Sequence, residues 1–139
     1  TAIDLSLKML EKARPRAEAY NGKINLEIMD AHRLAFPDNS FDTVVTVCVF
    51  CTVTDPVHGL EEIKRVLKPD GKLLMFEHVM SRNPLYGLIL KMMSLFTVAL
   101  EGTHLDRNTV SNIRKAGFAV EKEQNAYLDI VKAITANPN

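Results

Sequence analysis

Apolar positions along the chain switch repeatedly between helical spacing and runs of consecutive β-branched residues. Leu7, Met9, Leu10 and Ala13 fall at helical spacing and predict a helix over 7–19. Ser6 stands before it as a candidate N-cap, and Asn21-Gly22 ends it in a turn. Ala2-Ile3 reads as the tail of a strand, and Ile24 to Met29 as a short strand. Phe36-Pro37-Asp38-Asn39-Ser40 has strong turn chemistry. Phe41 to Val49 is almost unbroken apolar sequence, which predicts a parallel strand buried on both faces. Pro56 to Leu67 reads as a helix with Leu60, Ile63 and Leu67 on one side, and Lys68-Pro69-Asp70-Gly71 as a turn. Lys72 to Phe76 is another strand. The apolar stretch Leu85–Leu100 follows, then a helix capped by Asp106 or Asn108 and stopped by Gly117. Phe118 to Glu123 and Ile130 to Thr135 complete the pattern as strands. Strands alternating with helices of this length predict an α/β fold with a mostly parallel sheet.

Composition narrows the partners. The 139 residues fit one domain, without internal repeat or linker. Lys plus Arg and Asp plus Glu are equal at 17 each, so no overall cationic surface favours a nucleic-acid backbone. Cys48 and Cys51 lie inside the apolar run, where an extended chain turns residues three apart to opposite faces. They are expected to be reduced, largely buried thiols of a cytoplasmic protein, with no metal site. Thr1 to Ser6 shows neither a charged leader nor an apolar core of a signal peptide. Leu85–Leu100 falls short of the ~20 residues needed to span a bilayer.

In an open α/β sheet, ligands bind beyond the carboxyl ends of the strands. Asp4, Asp30, Val47 to Cys51 and Glu77-His78 occupy those ends. Two carboxylates at neighbouring strand ends suit a nucleoside, one accepting from ribose hydroxyls and the other from an adenine amino group.

Three segments sharpen this expectation. Asp30-Ala31-His32-Arg33-Leu34-Ala35-Phe36-Pro37-Asp38-Asn39-Ser40-Phe41-Asp42 resembles the D-A-x-x-L-P-F-P-D-x-S-F-D stretch of class I S-adenosylmethionine-dependent methyltransferases of the UbiE-like type. Ile3-Asp4-Leu5-Ser6, with Met9-Leu10 and Ala13, resembles their D-x-S-x-x-M-L-x-x-A motif, and Arg65 to Leu73 their R-V-L-K-P-G-G motif. Val49 to Val53, Phe76 to Val79 and Glu101 to Arg107 look like segments of members that methylate small thiols, lipids or quinone precursors. The resemblance implies a Rossmann-like sheet, mostly parallel with an antiparallel C-terminal strand, and S-adenosyl-L-methionine as cofactor. It places Asp4 on the ribose with Leu5 beside the adenine, Asp30 on the adenine amino group, the Ala31 N–H on a ring nitrogen, and Val47 along the methionine part. Residues 81–106 become a cap over the acceptor pocket of one partial domain, 1–139. The acceptor is a small, apolar thiol, lipid amine or quinone precursor, with peripheral contact to lipid but no transmembrane segment.

Blander roles compete with each assignment. Asp4 also suits a helix entry, where the dipole favours an acid. Asp30 also suits a turn, and Asp42 is expected to be structural. Glu77 and His78 are the catalytic candidates, His78 as a general base, or alternatively as an orienting or carbonyl-satisfying group. His104 is a further candidate; His32 and His58 are expected to face solvent. The family's first strand and glycine-rich loop do not precede Thr1, so Asp4 and Asp30 are expected on one half of a broken sheet. The chain then reads as an excerpt of a longer protein that binds cofactor weakly or not at all. Micromolar binding in calorimetry contradicts that expectation. A methyltransferase-fold module without turnover is the alternative function.

Overall fold

The computed structural model describes residues 1–21 and 23–139, with Glu101 described through its backbone alone. Its elements run β1 (Ala2–Asp4), α1 (Leu7–Ala19), β2 (Leu26–Ile28), β3 (Phe41–Val47), α2 (Pro56–Val66), β4 (Leu67–His78), α3 (Pro84–Glu101), α4 (Thr109–Lys115), β5 (Phe118–Tyr127) and β6 (Val131–Pro138). The helix expected over 7–19 is α1. Asn21 takes a left-handed backbone, φ 55°, after it. Gly22, the other half of the expected turn, lies outside the described residues.

Helix starts follow local hydrogen-bonding chemistry. The Asp55 carboxylate accepts from the Val57 and His58 N–H groups at 3.1 Å each, Asn83 from Leu85 at 3.0 Å, and Asn108 from Ser111 at 3.1 Å. Each satisfies a donor that a helix start leaves free. Ser6 occupies the N-cap of α1 without a side-chain bond. Asp4 serves that turn instead, accepting from the Ser6 N–H at 2.7 Å.

The strands form two separate sheets. β1 pairs in parallel with β2; a four-stranded sheet has the order β3-β4-β6-β5. β3 is parallel to β4, whereas β6 runs antiparallel to both its neighbours. The division expected from the sequence, with Asp4 and Asp30 on a half apart from the later strands, is present.

One expectation fails at β3. The strand is not buried on both faces: Val45 and Val47 are 64% and 60% exposed. The cause is its position at the edge of a sheet whose core lies on one side. Leu73, Met75 and Glu77 of β4 and Ile134 and Ala136 of β6 point into that core with Leu60, Ile63, Val66 and Ile113. Val45, Leu74, Phe76, Ala133 and Thr135 line a 250 Å³ hollow on the opposite, open face. A second correction concerns Lys68–Gly71, which is no turn between elements. Phe41 pairs with Leu67 and Thr43 with Lys72, so these residues bulge out within β4. Gly71 is required there, because a Cβ on it would sit 2.9 Å from the Lys68 carbonyl oxygen. The flanking Asp42 carboxylate accepts from Lys68 Nζ at 2.6 Å, a structural use as expected.

The small sheet is tied to the large one through α2. Arg65 donates to the Leu34 carbonyl at 2.8 Å, the Phe36 carbonyl at 2.9 Å and the Asp38 carboxylate at 2.7 Å. Glu62 accepts from Arg65 through both oxygens, at 2.8 and 2.9 Å, and from the Leu34 N–H at 3.0 Å. These bonds hold the Glu62 carboxyl down to about 2, with the Arg65 hydrogen bonds the largest cause. A carboxyl lowered in this way stabilises the fold above its ordinary value of 4.5, and that contribution disappears as pH falls toward about 2. Arg65→Ala is expected to lower the melting temperature by several degrees at neutral pH. It should also flatten the loss of stability across this acid range in urea titrations. An unchanged acid limb contradicts the assignment.

Candidate functional site

The carboxyl ends of β1 and β2 bring together four of the residues singled out by sequence. Asp4 and Ile28 are register partners, so Asp30 follows two residues beyond the end of the adjacent parallel strand. Asp4 is half-buried; one of its oxygens accepts from Ser6, and no protein donor reaches the other among the described residues. Asp30 is exposed and engages one oxygen twice, with the His32 N–H at 2.9 Å and the His32 ring Nδ1 at 2.7 Å. Those bonds, the backbone one first, hold its carboxyl below the usual range. Leu5 is 70% exposed beside them, an apolar surface next to two acids, and Ala31 is half-buried. His32 differs from expectation: its side chain is only 22% exposed, because its ring is bonded on both sides. His58 is exposed as expected.

The carboxyl ends of β3 and β4 form a second group. Val47 pairs with Phe76, and the Cys48 N–H reaches the Phe76 carbonyl at 2.9 Å. Cys48 then turns the chain with φ 51°. That turn exposes it, contrary to the expectation of two buried thiols; Cys51 alone is buried. Burial first, then the nearby Glu77, pushes the Cys51 thiol up to about 11, which leaves it protonated and inert.

Glu77 is fully buried on the core face. Its Oε1 accepts from Thr46 Oγ1 at 3.1 Å and from the Val49 N–H at 3.0 Å, so it ties the loop after β3 to the end of β4. Burial raises its pKa. Its other oxygen is buried without a partner among the described residues, as is Nδ1 of His78. His78 is the next residue along β4 and therefore points to the opposite face, the open one. Its carbonyl accepts from Thr109 Oγ1 at 3.3 Å.

Residues 79–107 are anchored at both ends beside this second group. The Val79 N–H bonds to the Ile130 carbonyl, and Met80 to Arg107, at 2.9 Å each. Ser81 Oγ and the Arg82 N–H donate to the Asp129 carboxylate, all at 2.8 Å. At the far end, the His104 N–H bonds to the Cys51 carbonyl at 2.8 Å, and Arg107 donates to the Phe50 and Val53 carbonyls. Between the anchors, α3 buries only Gly87, Leu90 and Ser94, while ten large apolar side chains from Leu85 to Leu100 are 37–83% exposed. No helix among the described residues is long and apolar enough to cross a membrane, and no metal-binding cluster occurs among them.

The two groups therefore belong to different sheets, which no strand pairing joins among the described residues. A Cβ on Gly59 of α2 would lie 3.2 Å from the Phe50 ring and 3.7 Å from the Ala31 carbonyl oxygen, so one glycine separates the loop after β2 from the loop after β3. A 390 Å³ hollow beside Arg14, Glu18, Asn25 and Glu27 lies at the amino end of β2 and holds none of these residues. Sequence reasoning missed Asp55, Glu62 and Arg107. Only Asp55 carried a readable signal, an acid directly before Pro56 at a helix start.

Residues 1–75 match the methyltransferase domain family. The chain is similar to the ubiquinone/menaquinone biosynthesis C-methyltransferase UbiE of Geotalea daltonii, 35% identical over 62% of this chain and 37% of that protein. It is also similar to the phosphatidylethanolamine N-methyltransferase of Cereibacter sphaeroides, 32% identical over 99% of this chain and 64% of that one. The chain thus spans between about a third and two thirds of the length of these relatives. The crystal structure of a methyltransferase from Bacillus halodurans superposes with a TM-score of 0.77 at 18% identity, over 99% of this chain and 82% of that one, and shares its fold. The chain belongs to the methyltransferase domain family of class I S-adenosylmethionine-dependent enzymes.

Proposed function

We propose that this chain carries the nucleoside-binding and acceptor-side parts of an S-adenosylmethionine-dependent methyltransferase acting on a small, apolar acceptor. One observation carries the reading: Asp4 and Asp30 stand at adjacent parallel strand ends, each with one carboxylate oxygen free of protein donors among the described residues. Ribose hydroxyls and an adenine amino group are donors, and both acids are acceptors only, so the donor set fits the cofactor. Bound there, the cofactor supplies an electrophilic methyl group on sulfur. The protein's task is then orientation and exclusion of water. Asp4 takes the ribose, Leu5 covers the adenine, and the Ala31 N–H meets the ring. Val47 and the loop after it pass the methionine end.

Residues 81–106 form the acceptor-side cap. The exposed apolar surface of α3 suits an apolar acceptor and peripheral contact with lipid. The names of the relatives, a quinone C-methyltransferase and a phosphatidylethanolamine N-methyltransferase, support a quinone-like or lipid amine acceptor. His78 lies on the face of β4 opposite Glu77, and its Nδ1, buried without a partner among the described residues, suits a proton acceptor or an orienting group; Glu77 acts from the core by holding the loop. The free thiols at Cys48 and Cys51 accord with a cytoplasmic setting.

Titration of the labelled chain with S-adenosylhomocysteine, followed by amide NMR, tests the cofactor site even where binding is weak. Shifts are expected at Leu5, Ala31 and Val47, and Asp4→Ala should weaken binding about tenfold. Unchanged affinity removes Asp4 from the site. Methyl transfer to a demethylated quinone or an amine lipid separates turnover from binding alone.

Glu77→Ala strands the Thr46 and Val49 donors and should cost about 1–3 kcal/mol of stability. Glu77→Gln keeps an acceptor in place. Because the folded protein raises the Glu77 pKa, the Glu77 contribution to stability falls as pH rises above the ordinary value of 4.5, and the glutamine variant has no such loss. The stability of the wild type relative to the glutamine variant should therefore fall above that pH; a constant difference contradicts the assignment. On α3, Leu95 and Phe96 are 74% and 71% exposed, so Leu95→Glu with Phe96→Glu should abolish co-flotation with phosphatidylglycerol-containing vesicles. Wild-type protein that stays with the buffer rejects the lipid contact.

A further inference from the structure

The His32 ring joins two loops, and its two bonds fix where its proton sits. Nε2 lies 3.2 Å from the backbone N–H of Asp55. A backbone N–H only donates, so Nε2 is the acceptor and carries no proton. The proton of the neutral ring is therefore on Nδ1, where it points at Asp30 Oδ1, 2.7 Å away. The His32 backbone N–H donates to the same oxygen at 2.9 Å. Oδ1 is thus occupied twice, and the carboxylate can neither rotate freely nor exchange its oxygens. Oδ2 is left as the one that meets a ligand. The titratable groups around the ring are Asp30 on its own loop, with Asp55 and His58 on the α2 side; the His58 ring lies 5.6 Å away, centre to centre.

We propose that His32 is a positioning residue for nucleoside recognition: it holds Asp30 with one oxygen presented to the purine amino group and locks that loop to the start of α2. The proposal rests on the reading of Asp30 as the adenine acceptor and deepens it. It assigns no contact between His32 and the nucleoside. The open sheet face and the exposed side of α3 are larger features, but nothing in the structure identifies what covers the former, and the latter belongs to the acceptor side already described.

Two substitutions divide the ring's functions. His32→Asn places an amide donor near the position of Nδ1 and keeps the bond to Asp30 while losing Asp55. His32→Gln reaches the position of Nε2 and keeps the bond to Asp55 while losing the side-chain bond to Asp30, so that only the backbone N–H still holds Oδ1. The ligands are adenosine and purine riboside, which differ only by the amino group, each titrated into the full chain by NMR. The wild type should prefer adenosine about threefold to tenfold, the worth of one hydrogen bond. His32→Asn should keep that preference, and His32→Gln should bring it close to one while its melting temperature stays near that of the wild type. A purely structural role would instead weaken both nucleosides equally in both variants. Equal loss, or a preference unchanged in His32→Gln, overturns the proposal and leaves the cofactor reading standing. Ring nitrogen shifts of the unliganded wild type must also report the Nδ1–H tautomer, and the Nε2–H form overturns the proposal without any ligand. A chain that binds neither nucleoside overturns the reading of the site, and the positioning role with it.

Discussion

The Glu62–Arg65 pair is the joint on which the rest of the molecule depends. β1 and β2 share no strand pairing with the four-stranded sheet, so no ladder fixes their position. What fixes it is the loop 34–38, held by Arg65 through two carbonyls and the Asp38 carboxylate, and by Glu62 through the Leu34 N–H. A guanidinium suits this task, because its fork of donors addresses several acceptors at once without becoming neutral. Glu62 takes two of those donors and fixes the fork in one orientation. Leu34, Phe36 and Phe41 pack behind it, the two phenyl rings edge to face at 4.9 Å. The apolar contacts bring the loop to the sheet, and the ion pair sets its register against α2.

The large sheet has the opposite character. Its strand pairing is extensive, and its uncertainty of design lies in the third dimension. One face is packed and the other is open, so Val45, Val47, Leu74 and Phe76 face water although their residue types suit a core. Glu77 stands at the same place in reverse, a carboxyl on the packed face. Its cost is offset because Oε1 takes the Thr46 hydroxyl and the Val49 N–H, two donors the loop after β3 would otherwise leave unsatisfied. The end of β4 therefore shapes the loop that begins at Cys48. His78, one residue on, lies on the other face.

Much of this was legible in the sequence, because elements set by local pattern do not need the rest of the chain. The periodicity of Leu7–Ala19 defined α1, and Asn108 marked the start of α4. The positions of Asp4 and Asp30 at strand ends followed from the short apolar runs before them, and the break between their half and the later strands followed from the family pattern. Three features were illegible for physical reasons. Apolar strand sequence specifies burial but not which face receives it, so the exposed side of β3 could not be foreseen. Lys68–Gly71 carries turn chemistry that serves equally well as a bulge within a strand, and only the pairing of Phe41 and Thr43 decides. Arg65 lies in a recognised motif, but its partners at Leu34, Phe36 and Asp38 are about thirty residues away and no spacing rule connects them.

α2 unites these observations. Its inward face, Leu60, Ile63 and Val66, is fixed in the core of the large sheet. Its first turn meets the loop after β2 through Asp55 and His32, and its last turn grips the same loop through Glu62 and Arg65. Gly59 lies between, small enough for Ala31 and Phe50 to approach from either side. The loop from Asp30 to Asp38 is thus held at two points about two helical turns apart along one rigid element. A loop held once can pivot; held twice, it moves only with the helix. Asp30 projects from this loop, so its carboxylate inherits its place from the core of a sheet to which it does not belong. The ends of β3 and β4 take their positions from that same core. Through α2, two strand ends without a shared ladder are held in one frame, as a cofactor spanning both would require.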